Sequence, residues 1–266
     1  MRGAMLMVAA VAACDSAPRL DLPPRPPDAP AGSEFARSVE GLDLEARDAR
    51  IVAEVLRGNV PEWLRELAPV RVGEGDAVVE FRVTPDYLAV GSESDYLLAP
   101  MSPQAAQRIA DRLGMSLPTP RMVDAIWGEA GVKLAPEPIP PGPEMTTVPV
   151  FLRHSDSTRV RRDAVPVPMG ALTAGHKKDV VLSRELGAAP GRVAIYGWHQ
   201  QDGEPIQPLY LGHTDRWVDY SHGIRLVHRT IRVFGDPADL SAVLRDPALA
   251  RLLSGEGAFA SPPRYE

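Results

Sequence analysis

Proline constrains this chain more than any other residue. Six prolines fall within residues 16–33 (Pro18, Pro23, Pro24, Pro26, Pro27, Pro30) and six within 135–149 (Pro136, Pro138, Pro140, Pro141, Pro143, Pro149). Each fixes φ and removes a backbone donor, so neither stretch can form a helix interior or a central strand. Regular structure must therefore concentrate in residues 36–134 and 150–266. The first stretch is expected as a semi-rigid polyproline II tether. The second is expected as an extended crossing within one compact unit, with a linker between two halves as the alternative.

The N-terminus carries an address. Residues 1–14 read MRGAMLMVAAVAAC, with Arg2 as a short positive region and residues 3–13 as an apolar run. Eleven residues cannot span ~30 Å of hydrocarbon as a helix, but they suit a signal peptide. Val11-Ala12-Ala13-Cys14 resembles the lipobox of bacterial lipoproteins. The resemblance implies removal of residues 1–13, acylation of Cys14 and a tether over 14–35. It also implies an exported protein held on a bacterial membrane, on its periplasmic or cell-surface face, with the bilayer as a partner. Asp15 resembles the inner-membrane retention signal of such proteins. The bland alternative is a plain secretory signal with an incidental cysteine.

Cys14 is also the only cysteine, so no internal disulfide or multi-cysteine zinc site can form. The body must stand on its hydrophobic core, for which 44% apolar residues suffice. Net charge is −6, which argues against a nucleic-acid face.

Pattern reading gives an α+β chain, with a helix-rich N-terminal half over 36–134 and a strand-rich C-terminal half over 150–266. Helical spacing runs through 36–57 and ends at Gly58-Asn59. Ala77–Val83 alternates as a strand, with short strands at Tyr87–Val90 and Tyr96–Leu98. Ser102-Pro103 and Thr119-Pro120 each read as an N-cap followed by proline at the first helical position. Strands are expected at Val148–Arg153, Asp179–Leu182, Arg192–Tyr196, Ile206–Leu211 and Gly223–Val227, and a final helix over Asp239–Leu253.

All six histidines lie between positions 154 and 228, which points to a polar site built by the second half. Three segments carry it. Gly175-His176-Lys177-Lys178-Asp179 holds two of only three lysines in a chain that otherwise uses arginine. His176 and Lys178 match the start of the phospholipase D motif, but Ser183 fills its aspartate slot and excludes that family. Ile195-Tyr196-Gly197-Trp198-His199 presents Trp198 and His199 at a strand end. His213 and Asp215 are two apart and share a face if extended.

Ser221-His222-Gly223-Ile224-Arg225 resembles the Ser-His-Gly-Cys-x-Arg signature of L,D-transpeptidases, and Ile195-Tyr196-Gly197 is similar to their Ile-His-Gly. Those envelope enzymes act through a cysteine thiolate. Here Ile224 stands in its place, so that reaction is excluded. The second half otherwise resembles uncharacterised families of secreted bacterial proteins, a likeness that implies no chemistry.

Two functions follow from these residues. The first is an envelope hydrolase. His176, Lys178, His199, His213, Asp215 and His222 would supply acid, base and charge, with Asp219 as the alternative carboxylate to Asp215. His176, His199, His213, Asp215 and His222 are the candidate ligands for a divalent metal such as zinc. The second is a non-catalytic lipoprotein that binds a glycan or peptidoglycan. Trp198, Trp217, Tyr220, Ser221 and Arg225 would contact the ligand in either case.

Overall fold

The two proline-capped helices form where the residue chemistry places them. In a computed structural model, which describes residues 18–73, 75 and 77–266, Ser102 and Thr119 each accept a hydrogen bond from the amide three residues on. Gly41, at φ 79°, breaks the expected 36–57 helix in two, and Asp43 caps its second part. Pro247 follows Asp246, the cap that ends the last helix, so that helix is shorter than 239–253.

The helices are α1 (Gly32–Val39), α2 (Leu44–Leu56), α3 (Pro103–Arg112), α4 (Pro120–Glu129), α5 (Val148–Asp163) and α6 (Leu240–Arg245). The first strands are β1 (Ala68–Val72), β2 (Val79–Val83), β3 (Ala89–Gly91), β4 (Tyr96–Leu98), β5 (Met115–Ser116), β6 (Val132–Lys133) and β7 (Thr173–Ala174). The second half adds β8 (Lys178–Val180), β9 (Ile195–His199), β10 (Pro205–Tyr210), β11 (His222–Gly223), β12 (Val227–His228), β13 (Thr230–Val233) and β14 (Asp236–Asp239).

This is a mixed α+β fold. One six-stranded sheet runs β14-β13-β2-β12-β5 with β1 also on β2, so it draws strands from both halves. A four-stranded sheet, β10-β9-β8-β11, belongs to the second half and positions the candidate site. The main core cluster reaches from Leu20 to Tyr265 and draws on both halves, with a small second cluster at Val123, Val181 and Ala194.

Two expectations fail. Val148–Arg153 opens a helix, α5, with Pro149 in its first turn. The buried face of α5 includes His154, Ser155, Thr158 and Arg162, so its helical period is invisible to a hydrophobic pattern. Ser155 explains the placement: its hydroxyl donates to Tyr96 O and accepts from Leu98 N, satisfying an edge of β4.

The described part of the expected tether is packed on the body instead. Leu20 N donates to Arg65 O, Leu67 N donates to Pro18 O, and Leu20 is buried. Arg65 also donates to Pro23 O and Gly58 O. A side chain at Gly58 would meet Pro23 O at 2.2 Å, which brings the two backbones into close contact. Proline removes donors but leaves carbonyls, and Arg65 uses them. The leader 1–13 and Cys14 lie outside the described residues.

Candidate functional site

Parallel pairing of β11 with β8 sets Lys178 opposite His222 and Asp179 opposite Gly223. β9 pairs on the other side of β8, with Gly197 opposite Lys178 and Tyr196 opposite Asp179. Successive strand residues face opposite sides of a sheet, so Lys178 and His222 share one face and Asp179 takes the other. Gly223 is required by this approach: a Cβ there would meet the Tyr87 ring at 2.5 Å and Lys177 Cβ at 2.8 Å.

The first group gathers around Asp219. Its carboxylate accepts from Ser221 N at 2.8 Å, Ser221 Oγ at 2.6 Å and Trp217 Nε1 at 3.1 Å. His222 Nε2 lies 3.8 Å away. Trp217 stacks on His213 with centroids 5.0 Å apart and planes at 14°, and Tyr210 meets His213 edge-on at 5.2 Å. Lys178 Nζ sits 4.9 Å from the centre of the Trp198 ring.

Burial opposes the charge on Asp219, but the His222 imidazole when protonated, the Ser221 hydrogen bonds and Lys178 outweigh it and hold the carboxyl at about 2. Burial drives His222 down to about 4, against the pull of Asp219, so its ring is neutral at pH 7. The hydrogen bonds and Lys178 therefore keep Asp219 ionised at that pH. Burial also lowers Lys178 and His213, each partly restored by Asp219.

The second group is internal. Arg225 is fully buried and donates to Thr84 O and Thr173 O, both at 2.8 Å. Its guanidinium lies over the Tyr87 ring at 4.4 Å and 3.8 Å from Asp179. Tyr87 OH donates to Asp179 Oδ2 at 2.7 Å. His176 is fully buried with Nε2 3.2 Å from Asp86. Burial pushes Asp179 up to about 6 and Lys177, which donates to Tyr220 O, down to about 7.

These positions correct the sequence reading. His176 and Arg225 join separate chain segments inside the protein and offer no surface to a ligand. Tyr220 is buried too: its hydroxyl accepts from Ile139 N, which ties the proline-rich crossing to the sheet. Trp198 is buried, with Nε1 donating to His176 O and φ at 59°. His199 belongs to a third place, 3.0 Å from Asp124 and stacked on Trp127. Asp215 accepts from Gln104 and lines a separate cleft of about 520 Å³.

The imidazoles therefore do not converge on one point. Among the described residues, no group of three or more His, Cys, Asp or Glu side chains is arranged to hold a metal ion. The structure does bring together Lys178, His213, Trp217, Ser221 and His222, but Ser221 and His222 are themselves buried and order the site from beneath rather than offer a surface to a ligand. Of the two carboxylates the sequence offers, Asp219 rather than Asp215 stands at the site, and the structure adds Tyr210, which the strand pattern alone does not single out. No spacing in the sequence marks Asp86, Tyr87, Lys177 and Asp179 as one network. Asp86 follows Thr84-Pro85 in a turn, where acids are ordinarily solvated, and its burial depends on contacts from distant segments such as His176.

The architecture defines a class: a mixed α+β protein with one polar and aromatic surface site beside a buried ion network. Comparison with family profiles, curated proteins and solved structures yields no match for this chain.

Proposed function

We propose that this chain is a membrane-anchored envelope lipoprotein that binds a glycan through Tyr210, His213 and Trp217. The observation that carries the reading is the ordered aromatic shelf itself. Trp217 is held through its indole N–H by Asp219 and stacked on His213, so its orientation is set before a ligand arrives. Tyr210 is 42% exposed and its ring lies over Gly212, where any Cβ would meet the hydroxyl at 2.0 Å. Flat apolar rings with polar edges suit the faces of sugars, and a fixed ring loses little entropy on binding. The leader supports export and anchoring at Cys14.

The experiment is co-sedimentation of the protein with purified peptidoglycan. Trp217→Ala removes the shelf and is expected to leave the protein in the supernatant. Retention of the variant at wild-type levels contradicts the reading.

A second reading, an envelope hydrolase, is favoured by His199. Its ring is oriented by Asp124, whose side chain is about half exposed, and an oriented imidazole is a common general base. That reading requires release of soluble fragments from the same polymer, abolished by His199→Gln.

A further inference from the structure

Lys178 stands out among the charged groups around the shelf because it feels the charge of Asp219 without a direct ion pair. Among the described residues, no carboxylate lies within ion-pair distance of its ammonium. The other two lysines are engaged: Lys133 lies on the Trp127 ring and donates to Gly128 O, and Lys177 donates to Tyr220 O.

The nearby carboxylate cannot easily turn to Lys178. Asp219 already receives Ser221 N, Ser221 Oγ and Trp217 Nε1. Its negative charge is directed inward, onto groups that fix the shelf. His213 and His222 are uncharged at pH 7 and compete for no anion there. Lys178 is half-buried over the indole face of Trp198, which confines the ammonium without supplying a counter-charge.

We infer that Lys178 is the specificity-determining residue of the shelf, and that the glycan it selects carries a free carboxylate. This rests on the glycan-binding reading above. The sugar ring lies on Trp217 and Tyr210, and its carboxylate accepts from the Lys178 ammonium. A charge-assisted hydrogen bond formed by a partly desolvated cation is stronger than one at an open surface. The expected discrimination is at least about tenfold in Kd between an acidic sugar and its neutral counterpart.

N-acetylmuramic acid and N-acetylglucosamine make the minimal probe pair, since they share a ring and differ by a lactyl carboxylate. The methyl ester of N-acetylmuramic acid keeps the bulk and loses the charge. Titration calorimetry on the full chain in detergent micelles should show the free acid binding at least about tenfold more tightly than either neutral sugar. Added salt should narrow that gap. In Lys178→Gln the three affinities should become equal, and Lys178→Arg should restore the preference. Thermal melting of both variants checks that they fold. Equal affinities in the wild-type protein, or a preference that survives Lys178→Gln, overturn the inference and leave the shelf reading standing. Failure of all three sugars to bind overturns both.

Discussion

Lys178 and His222 stand opposite one another in the parallel pairing of β8 with β11, one residue from each of two segments that are 44 positions apart in sequence. That pairing brings a cation and a neutral imidazole beside Asp219. It also fixes Asp179 and Gly223 on the next row, where the sheet meets Tyr87. One short strand contact thus orders the surface shelf on one side and the buried ion network on the other.

Arg225 holds the buried network together. Its guanidinium satisfies two carbonyls from distant segments and faces Asp179. Arg225→Met leaves both carbonyls without that donor and removes the cation facing Asp179, which keeps only the Tyr87 hydroxyl. The expected loss is ~3–5 kcal/mol of unfolding free energy, measured by urea denaturation. A loss below about 1 kcal/mol would show that the arginine does not join these segments.

Gly223→Ala tests the close approach of β11 to Tyr87. The added methyl overlaps a ring that has no free space to retreat into. Overpacking of this kind is expected to cost ~1–3 kcal/mol, read from the same urea transition. An unchanged midpoint would contradict the register described for β8 and β11.

Stability should fall in mild acid because of His222 and His154. Burial holds their folded values at about 4 and about 2, below the ordinary imidazole value of 6.5. Both therefore favour the neutral form on folding. Their contribution is complete above 6.5 and is lost as pH falls toward the folded values, since the unfolded chain then takes up protons first. Each is expected to cost about 2 kcal/mol between pH 7 and pH 5. His222→Gln should shrink the drop between those two pH values by about that amount. A drop of wild-type size in the variant would assign the acid sensitivity elsewhere.

The N-terminal segment makes two separable predictions. Cys14→Ser should move the protein from the membrane fraction to the soluble fraction. Deleting residues 18–31 should lower the melting temperature, because Leu20 is buried and contributes ~1.5–3 kcal/mol. An unchanged melting temperature after deletion would mean that the segment is a free tether after all.

The legible parts of this fold are those governed by local chemistry. The caps at Ser102 and Thr119 each need only a hydroxyl and a proline, so their helices can be read directly. Val79, Phe81 and Val83 alternate cleanly into the core, so β2 can be read as well. The face of α5 cannot, because His154, Ser155, Thr158 and Arg162 are buried by neighbours rather than by hydrophobicity. The candidate site divides in the same way. His213, Trp217, Ser221 and His222 are near in sequence and meet in space. His176 and His199 sit on adjoining segments yet turn to Asp86 and Asp124, partners that no spacing rule points to.

The central claim is that Trp217 forms part of a glycan-binding shelf. The chain has four tryptophans, so ¹⁵N-labelled protein offers four indole N–H resonances to follow during titration with soluble peptidoglycan fragments. The Trp217 indole should shift in a saturable way, while those of Trp63 and Trp127 stay in place. Saturable shifts at Trp127 with Trp217 unmoved, or no indole shift at all, would contradict the account.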